Sequence, residues 1–204
     1  MGLRWSEVQI LSPRPFFSDE EGSENFITLD RLCCGDGGRM SRLDSMIRRL
    51  QAQRDCLEYA LSLTAGQEGV ILELGLGNGR TFDHLRSHAP GRKIFVFERQ
   101  PAAHPDCTPE KEFMFEGDFR ETLNSARQQL GQQGILAHCD IGSGRPEIDQ
   151  ALVQAISEPL NTLLRPEAII LSDQFFSLPD WTPLELPAAI PSGRYYIFQK
   201  NPTR

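Results

Sequence analysis

Four short apolar runs, each next to a segment with helical character, constrain the fold of this chain most. The runs are GVILEL, KIFVF, GILAH and EAIIL, which end at Leu74, Phe97, His138 and Leu171. Strands of a parallel sheet are covered on both faces by helices, so they read as continuous apolar runs. Alternating strands and helices are typical of an α/β domain. We therefore predict a Rossmann-like, three-layer α-β-α sandwich.

Periodicity and capping residues set the expected bounds of the elements. Ser41 and Asp44 form a capping signature before a helical apolar pattern, and Gly66 lies just past its end. We predict helices over 41–63, 80–88, 119–130 and 148–164. We predict strands over 70–74, 93–97, 112–115, 135–139, 168–171 and 195–198.

Residues 1–39 differ in character from the rest of the chain. They contain an acid-rich turn, DEEGSEN, and a Gly-rich exit, CCGDGGR, and no apolar period persists in them. We predict that this extension is mostly unstructured and that 40–204 forms a single domain. The abrupt change at Met40 motivates the hypothesis that Met40 is the translational start. Intact-mass measurement of the endogenous protein tests it, and a peptide from residues 5–30 would contradict it.

Composition limits the classes of binding partner expected for this chain. The chain has 204 residues and a net charge of −7, which argues against a nucleic-acid binder. We interpret its basic cluster (Arg42, Arg48, Arg49 and Arg54) as an ordinary solvated face. No apolar stretch is long enough for a membrane span, so no membrane partner is predicted. The five cysteines are odd in number and lack a metal-type C-x-x-C pair, which indicates free thiols in a reducing cytoplasm. The sequence predicts no oligomeric state.

The turn after the first strand, ILELGLGNGR, indicates a backbone that approaches a cofactor. Gly75, Gly77 and Gly79 stand at alternate positions. A phosphate-binding P-loop needs a later G-K-[ST], which is missing. The dinucleotide fingerprint G-x-G-x-x-G needs its third glycine one residue later, and Arg80 stands there.

The pattern E-x-G-x-G-x-G in LELGLGNGR resembles the first motif of class I S-adenosylmethionine-dependent methyltransferases. The resemblance extends over roughly residues 68–200. It implies a mostly parallel sheet of about six to seven strands with the last strand antiparallel. It also implies that S-adenosylmethionine is the cofactor and that Gly75, Gly77, Asn78 and Gly79 hold its methionine part. Glu73 is then expected to bind the ammonium group, directly or through water.

Acids after the next two strands strengthen the resemblance. Glu98 ends KIFVFE, where a carboxylate can accept hydrogen bonds from both ribose hydroxyls. Arg99 follows and is expected to flank the adenine. Asp118, after Gly117, is expected to accept from the adenine amino group, with the backbone N–H of Phe119 on a ring nitrogen. Asp118 as a plain helix cap remains an alternative.

Asp140 ends the fourth apolar strand and is our candidate catalytic residue, facing the substrate or accepting a proton. A plain role in capping the following loop is the alternative. Asp140, Asp173 and Gln174 loosely resemble the magnesium site of catechol-type O-methyltransferases. A glutamine replaces asparagine and no base lysine is evident, so no metal is predicted, and magnesium calorimetry tests this. His84 and His88 have zinc-compatible i,i+4 spacing, but with no third ligand indicated we interpret them as surface histidines.

The acceptor is expected to bind near helix 41–63 and the loop 173–194. This loop carries Phe175, Phe176 and Trp181, and it either covers the acceptor as a lid or wraps the sheet edge and packs its aromatic residues into the core. No N-P-P-Y or D-P-P-Y motif follows the fourth strand, and the chain is small. We predict a methyltransferase with a small-molecule acceptor. A non-catalytic S-adenosylmethionine-binding protein and an NAD-dependent oxidoreductase are the alternatives.

Overall fold

The computed structural model describes residues 41–202. The predictions of an unstructured 1–39 extension and of a start at Met40 lie outside the described residues. Within the described part of the chain, no helix has the length and apolar character needed to cross a membrane.

One seven-stranded sheet organises the domain. Its strands are β1 (Val70–Leu74), β2 (Ile94–Glu98), β3 (Met114–Glu116), β4 (Gly134–Cys139), β5 (Leu164–Ser172), β6 (Trp181–Leu184) and β7 (Tyr196–Lys200). The spatial order is β3-β2-β1-β4-β5-β7-β6. The first five strands pair in parallel, and β7 runs antiparallel to both of its neighbours. The predicted mostly parallel sheet with an antiparallel last strand is confirmed.

Four helices cover the two faces of the sheet. They are α1 (Arg42–Leu63), α2 (Arg80–His88), α3 (Phe119–Leu130) and α4 (Pro146–Leu163). The buried apolar residues of α1 and α2 belong to one core cluster, and those of α3 and α4 belong to another. Two separate cores on opposite faces of one sheet are what a three-layer sandwich requires.

Local sequence signals explain why these helices begin where they do. The Ser41 hydroxyl accepts from the backbone N–H of Asp44 at 3.0 Å and caps α1, as predicted. Asp118 caps α3 in the same way through the N–H of Arg120 at 2.9 Å. Pro146 occupies the first turn of α4, where a missing N–H costs no helical hydrogen bond.

The segment 173–194, predicted as a loop, contains the strand β6. This strand is only four residues long and includes Pro183, which is tolerated at a sheet edge because an outward-facing N–H is not needed there. Phe176 and Trp181 are buried and pack with their rings 5.3 Å apart, whereas Phe175 is 56% exposed. Two of the three aromatic residues therefore pack into the core, which is the second of the two predicted alternatives.

The topology brings the ends of β1 and β4 together at one crevice. The chain leaves β1 toward β2 on one side, and β4 pairs with β1 on the other side, so the strand order reverses between them. Open α/β sheets bind ligands outside the carboxyl ends of the strands at such a switch point. The residues that follow β1 and β4 are the glycine turn and Asp140.

Candidate active site

The turn from β1 into α2 is shaped by glycines that no other residue replaces without strain. Gly75, Gly77 and Gly79 have φ values of 92°, 52° and 80°, in the left-handed region. A Cβ at position 75 would overlap the carbonyl oxygen of Asp140, and one at position 79 would overlap that of Cys107. A Cβ at position 77 would meet nothing within 4 Å. Two glycines therefore permit tight packing, and the third leaves open space above the turn.

Glu98 holds the turn from the neighbouring strand. Its Oε2 accepts from the backbone N–H of Leu76 at 2.9 Å and of Gly77 at 3.3 Å. Its Oε1 accepts from the N–H of Gln100 at 3.0 Å. A carboxylate offers about four acceptor positions, so Glu98 retains capacity for a hydroxyl donor at the open side of the crevice.

Glu73 is more deeply buried than a carboxylate that directly contacts a ligand. It has no exposed surface, and its oxygens are bonded to the Thr81 hydroxyl and to His138 Nδ1, the latter at 2.8 Å. This burial argues against a direct contact with the cofactor ammonium, and a contact through water stays a prediction. The alternating direction of side chains turns position 73 into the α1–α2 face of the sheet, and Glu73 instead ties β1 to α2 and β4.

His138 completes a buried ionic pair with Glu73. Burial alone would lower the pKa of His138, but attraction and hydrogen bonding to Glu73 outweigh it and raise the pKa above its ordinary value. The pair lies directly beneath the two strand ends that form the crevice, and it holds them in register.

The predicted adenine-side residues lie together around the end of β3. Asp118 is partly exposed and caps α3, so its capping role is confirmed and its carboxylate still reaches solvent. Phe119 is buried in the core beneath it. Arg99 is exposed just beyond β2.

Asp140 is held by two side chains from α1. Its Oδ1 accepts from Arg49 Nη2 at 3.3 Å, and its Oδ2 accepts from Gln53 Nε2 at 3.0 Å. Arg49 is exposed, as expected for a solvated basic face, and it also forms an ion pair with Asp140. Arg49 and Gln53 are four residues apart and project from the same face of α1. Arg49 and Asp140 are 91 positions apart, so a single sequence contains no spacing pattern that would reveal their ion pair.

Asp173 lies on the far side of the same crevice. Its two oxygens accept from the N–H groups of Ile141 at 3.1 Å and Gly142 at 3.0 Å. Burial and the nearby Asp140 carboxylate raise the pKa of Asp173 above its ordinary value. The loop after β4 approaches so closely that a Cβ at Gly142 would overlap Asp173 and Gln174.

These partners bear on the alternative of a magnesium ion at Asp140, Asp173 and Gln174. Arg49 already brings a positive charge to Asp140, and two backbone donors occupy the oxygens of Asp173. A hard cation needs several free oxygen ligands. The donors present here therefore fit a hydrogen-bonded carboxylate pair better than a cation site.

Two cavities meet at Arg49. The first, of about 250 Å³, lies between the first half of α1 and the glycine turn; it is lined by Met46, Arg49, Leu50, Gln53, Gly75, Leu76, Gly77, Asn78, Arg80, Thr81 and Asp140. The second, of about 340 Å³, is lined by Arg49, Asp173, Tyr195 and residues 191–194. Neither Tyr195 nor Arg194 was predicted as a site residue, because neither belongs to a motif. Tyr195 is almost fully buried, and its hydroxyl has no hydrogen-bond partner among the described residues.

This arrangement of fold and site is that of a class I methyltransferase. The family model of S-adenosyl-L-methionine methyltransferases matches residues 40–200, so the chain belongs to that family. A crystal structure of an S-adenosyl-L-methionine methyl transferase from Silicibacter pomeroyi DSS-3 is 39% identical. That alignment covers 80% of this chain and 100% of the other, with a TM-score of 0.75. The protein is therefore an S-adenosylmethionine-dependent methyltransferase.

More distant structures share the fold alone. A candidate methylase from Haemophilus influenzae is 13% identical with a TM-score of 0.50, covering 76% of this chain and 99% of the other. A candidate methyltransferase from Escherichia coli is 15% identical with a TM-score of 0.50, covering 80% and 89%. No curated protein matches the chain.

Proposed function

We propose that the enzyme transfers the methyl group of S-adenosylmethionine to a small molecule bound between α1, the ends of β4 and β5, and residues 191–195. The cavity of about 340 Å³ at this position carries the proposal. Its volume falls at the lower end of the range typical of small-molecule sites, roughly 300–1,000 Å³. Its polar lining residues, among them Asp173, Ser192 and Arg194, suit a compact polar acceptor.

The cofactor residues that we propose follow from the crevice between β1 and β4. Gly75, Gly77, Asn78 and Gly79 would hold the methionine part, because the turn lines an open cavity where side chains are absent. Glu98 would accept from one of the ribose hydroxyls with its remaining acceptor position. Glu73 would support the turn from below through Thr81, and a contact between Glu73 and the ammonium group would run through water.

The adenine end is proposed to lie beyond Glu98, near the end of β3. Asp118 and the backbone N–H of Phe119 would bind the base edge, and Arg99 would flank it. The support is the partial exposure of Asp118 together with its position at the same edge of the sheet as Glu98.

Asp140 is the proposed catalytic residue, and it would face the acceptor. S-adenosylmethionine supplies an electrophilic methyl group on sulfur, so the protein's main task is to align the acceptor atom with it. Arg49 and Gln53 fix the orientation of the Asp140 carboxylate. Asp173, with its raised pKa, is the second group in reach of the cavity that can take a proton from the acceptor.

The net charge and the free cysteines support our proposals on the binding partners and the cellular compartment. A net charge of −7 disfavours phosphate backbones as partners, so no nucleic-acid acceptor is proposed. Cys56, Cys107 and Cys139 are free thiols, which supports a reducing compartment such as the cytoplasm.

Tritiated methyl transfer tests the acceptor class. The enzyme is incubated with methyl-labelled S-adenosylmethionine and a cell extract that is separated into small molecules, nucleic acid and protein. We expect label in the small-molecule fraction with wild type, and a loss of about 100-fold or more with Asp140→Asn. Asp106→Asn, a change of the same chemistry at an exposed site, is the control. Label in nucleic acid or protein would contradict the small-molecule proposal.

A further inference from the structure

A second group of polar side chains lies where α1 packs on α2, and the proposed reaction does not use it. Glu58 of α1 and His84 and His88 of α2 each bring one potential ligand atom to a common point. These three atoms lie within 4.8 Å of one another. From this geometry we propose that Glu58, His84 and His88 bind one divalent transition-metal ion of the zinc type.

The spacing of His84 and Glu58 suits two ligands of one ion. His84 Nε2 lies 3.7 Å from Glu58 Oε1, which is too long for a hydrogen bond. This nitrogen is buried and has no hydrogen-bond partner among the described residues. A zinc ion about 2.0–2.2 Å from each ligand atom, in near-tetrahedral geometry, separates its ligands by about 3.3–3.6 Å, close to the distance observed here. The gap between the two side chains is therefore one that an ion would bridge.

A hydrogen bond to the backbone fixes the tautomer of His88 so that one ring nitrogen can bind a metal. Its Nδ1 lies 2.8 Å from the carbonyl oxygen of His84, one helical turn earlier. A carbonyl only accepts hydrogen bonds, so Nδ1 carries the proton and Nε2 keeps its lone pair. Metal-binding histidines commonly have their second nitrogen held in this way. The i,i+4 spacing stacks the two rings with centroids 4.0 Å apart, which places both on one side of α2.

The surrounding charges are compatible with a cation. Arg54 is the nearest positive group; it lies 3.9 Å from Glu58, but it is bonded to Asp55 at 2.9 Å. Asp83, also near His84, is bonded to Arg86. Two imidazole nitrogens and one carboxylate oxygen are donors that suit zinc.

The consequence of such an ion would be structural. It would join α1 to α2 about one and a half helical turns beyond Gln53, the residue that holds Asp140. Three protein ligands leave one position for water, yet neither cavity of the methyl-transfer site is lined by these residues. The ion would therefore stabilise the packing of α1 against α2 and would not take part in methyl transfer.

Metal titration of the chelator-treated full chain tests the proposal. We expect one equivalent of Zn²⁺ to bind by calorimetry and to raise Tm by roughly 5–10 °C at a hundredfold excess over Kd. His88→Gln and Glu58→Gln should each weaken binding by at least about tenfold, since even loss of an outer partner does so. His104→Gln removes an exposed histidine elsewhere on the surface and should leave binding unchanged.

Substitution with Co²⁺ provides a readout that does not depend on the variants folding well. Wild type should show the visible d–d bands of a low-symmetry site without a thiolate charge-transfer band, because the ligands are nitrogen and oxygen. No zinc-dependent heat or Tm shift in wild type would overturn the proposal. So would binding that persists in the Glu58→Gln/His88→Gln double variant, or a thiolate band that assigns the ion to Cys56, Cys107 or Cys139.

Discussion

The two halves of the active site are built in different ways. The cofactor half that we propose consists of backbone and of residues that directly follow strands: the glycine turn after β1, Glu98 at the end of β2 and Asp118 after β3. The acceptor half that we propose is assembled from side chains of distant segments, with Arg49 from α1, Asp140 and Asp173 from strand ends, and Tyr195 before β7.

This difference predicts how each half responds to substitution. In the cofactor half, tight backbone packing and the buried Glu73–His138 pair support the site, so changes there should cost fold stability or cofactor affinity. In the acceptor half, partly exposed side chains hold one another, and exposed ion pairs contribute little to stability, about 0–1 kcal/mol. Changes there should reduce methyl transfer and leave the fold and cofactor binding intact.

Gly75→Ala should have the largest effect. The new Cβ would overlap the carbonyl of Asp140, and a φ of 92° is strained for alanine, so we expect a loss of about 3 kcal/mol or more in unfolding free energy. Urea unfolding measures it. Gly91→Ala is the matched control, because it shares a positive φ of 77° but meets nothing within 4 Å. It should lose only about 1–2 kcal/mol, and an equal loss in both variants would argue against tight packing of the turn.

His138→Gln should have the next largest effect on the unfolding free energy. It leaves the Glu73 charge buried without its ionic partner, which typically costs about 3–5 kcal/mol. The double variant Glu73→Gln/His138→Gln should recover part of this loss, because no uncompensated charge remains. A double variant with the summed loss of the two single variants would contradict a coupled pair.

The same pair predicts a pH dependence. The folded-state pKa of His138 is raised above its ordinary value of 6.5. Its stabilisation is therefore fully present below pH 6.5 and is lost as pH rises through the raised folded-state pKa. The Tm difference between wild type and His138→Gln should shrink above pH 6.5, and a difference that grows with pH would contradict the ionic pair.

Glu98→Ala should have an intermediate effect, mainly on the ligand. Loss of a charge-assisted hydrogen bond to the ribose, worth about 1.5–3 kcal/mol, should weaken S-adenosylhomocysteine binding roughly 10–100-fold by calorimetry. Glu116→Ala removes an exposed carboxylate from the end of the next strand and serves as control. Equal affinities of the two variants would remove Glu98 from the cofactor site.

Tyr195→Phe should have the smallest effect on stability. Its hydroxyl is buried without a partner among the described residues, so removing it should change the unfolding free energy by less than about 1 kcal/mol. S-adenosylhomocysteine affinity should stay unchanged while methyl transfer to the acceptor falls. A variant that loses cofactor binding instead would break the division between the two halves.

Much of the fold could be predicted because each element carries its own signal. The predicted bounds of the first strand and of α3 agree with the structure, since apolar runs and caps are local features. β6 was missed because a four-residue edge strand with Pro183 has neither an apolar run nor strict alternation. Its pairing with β7 is visible only in three dimensions.

The residues of the site also differ in whether local sequence signals or tertiary packing determine their positions. The positions of the glycine turn, Glu98, Asp118 and Asp140 at strand ends could be predicted because apolar runs mark where the strands end, and their roles toward the cofactor and acceptor stay predictions. The burial of Glu73 could not be foreseen, because it depends on which sheet face position 73 takes and on His138 being its neighbour across β4. The role of Arg49 and the third ligand beside His84 and His88 depend on where α1 packs, which no short pattern encodes.

A crystal structure with S-adenosylhomocysteine tests the division of the site most directly. We predict a ribose hydroxyl on Glu98, the adenine beside Asp118 and the amino-acid end over Gly75–Gly79. The sulfur should face Asp140, and the cavity at Asp173 and Tyr195 should stay free for the acceptor. A ligand that fills the Asp173–Tyr195 cavity, or one whose ribose lies away from Glu98, would contradict the account.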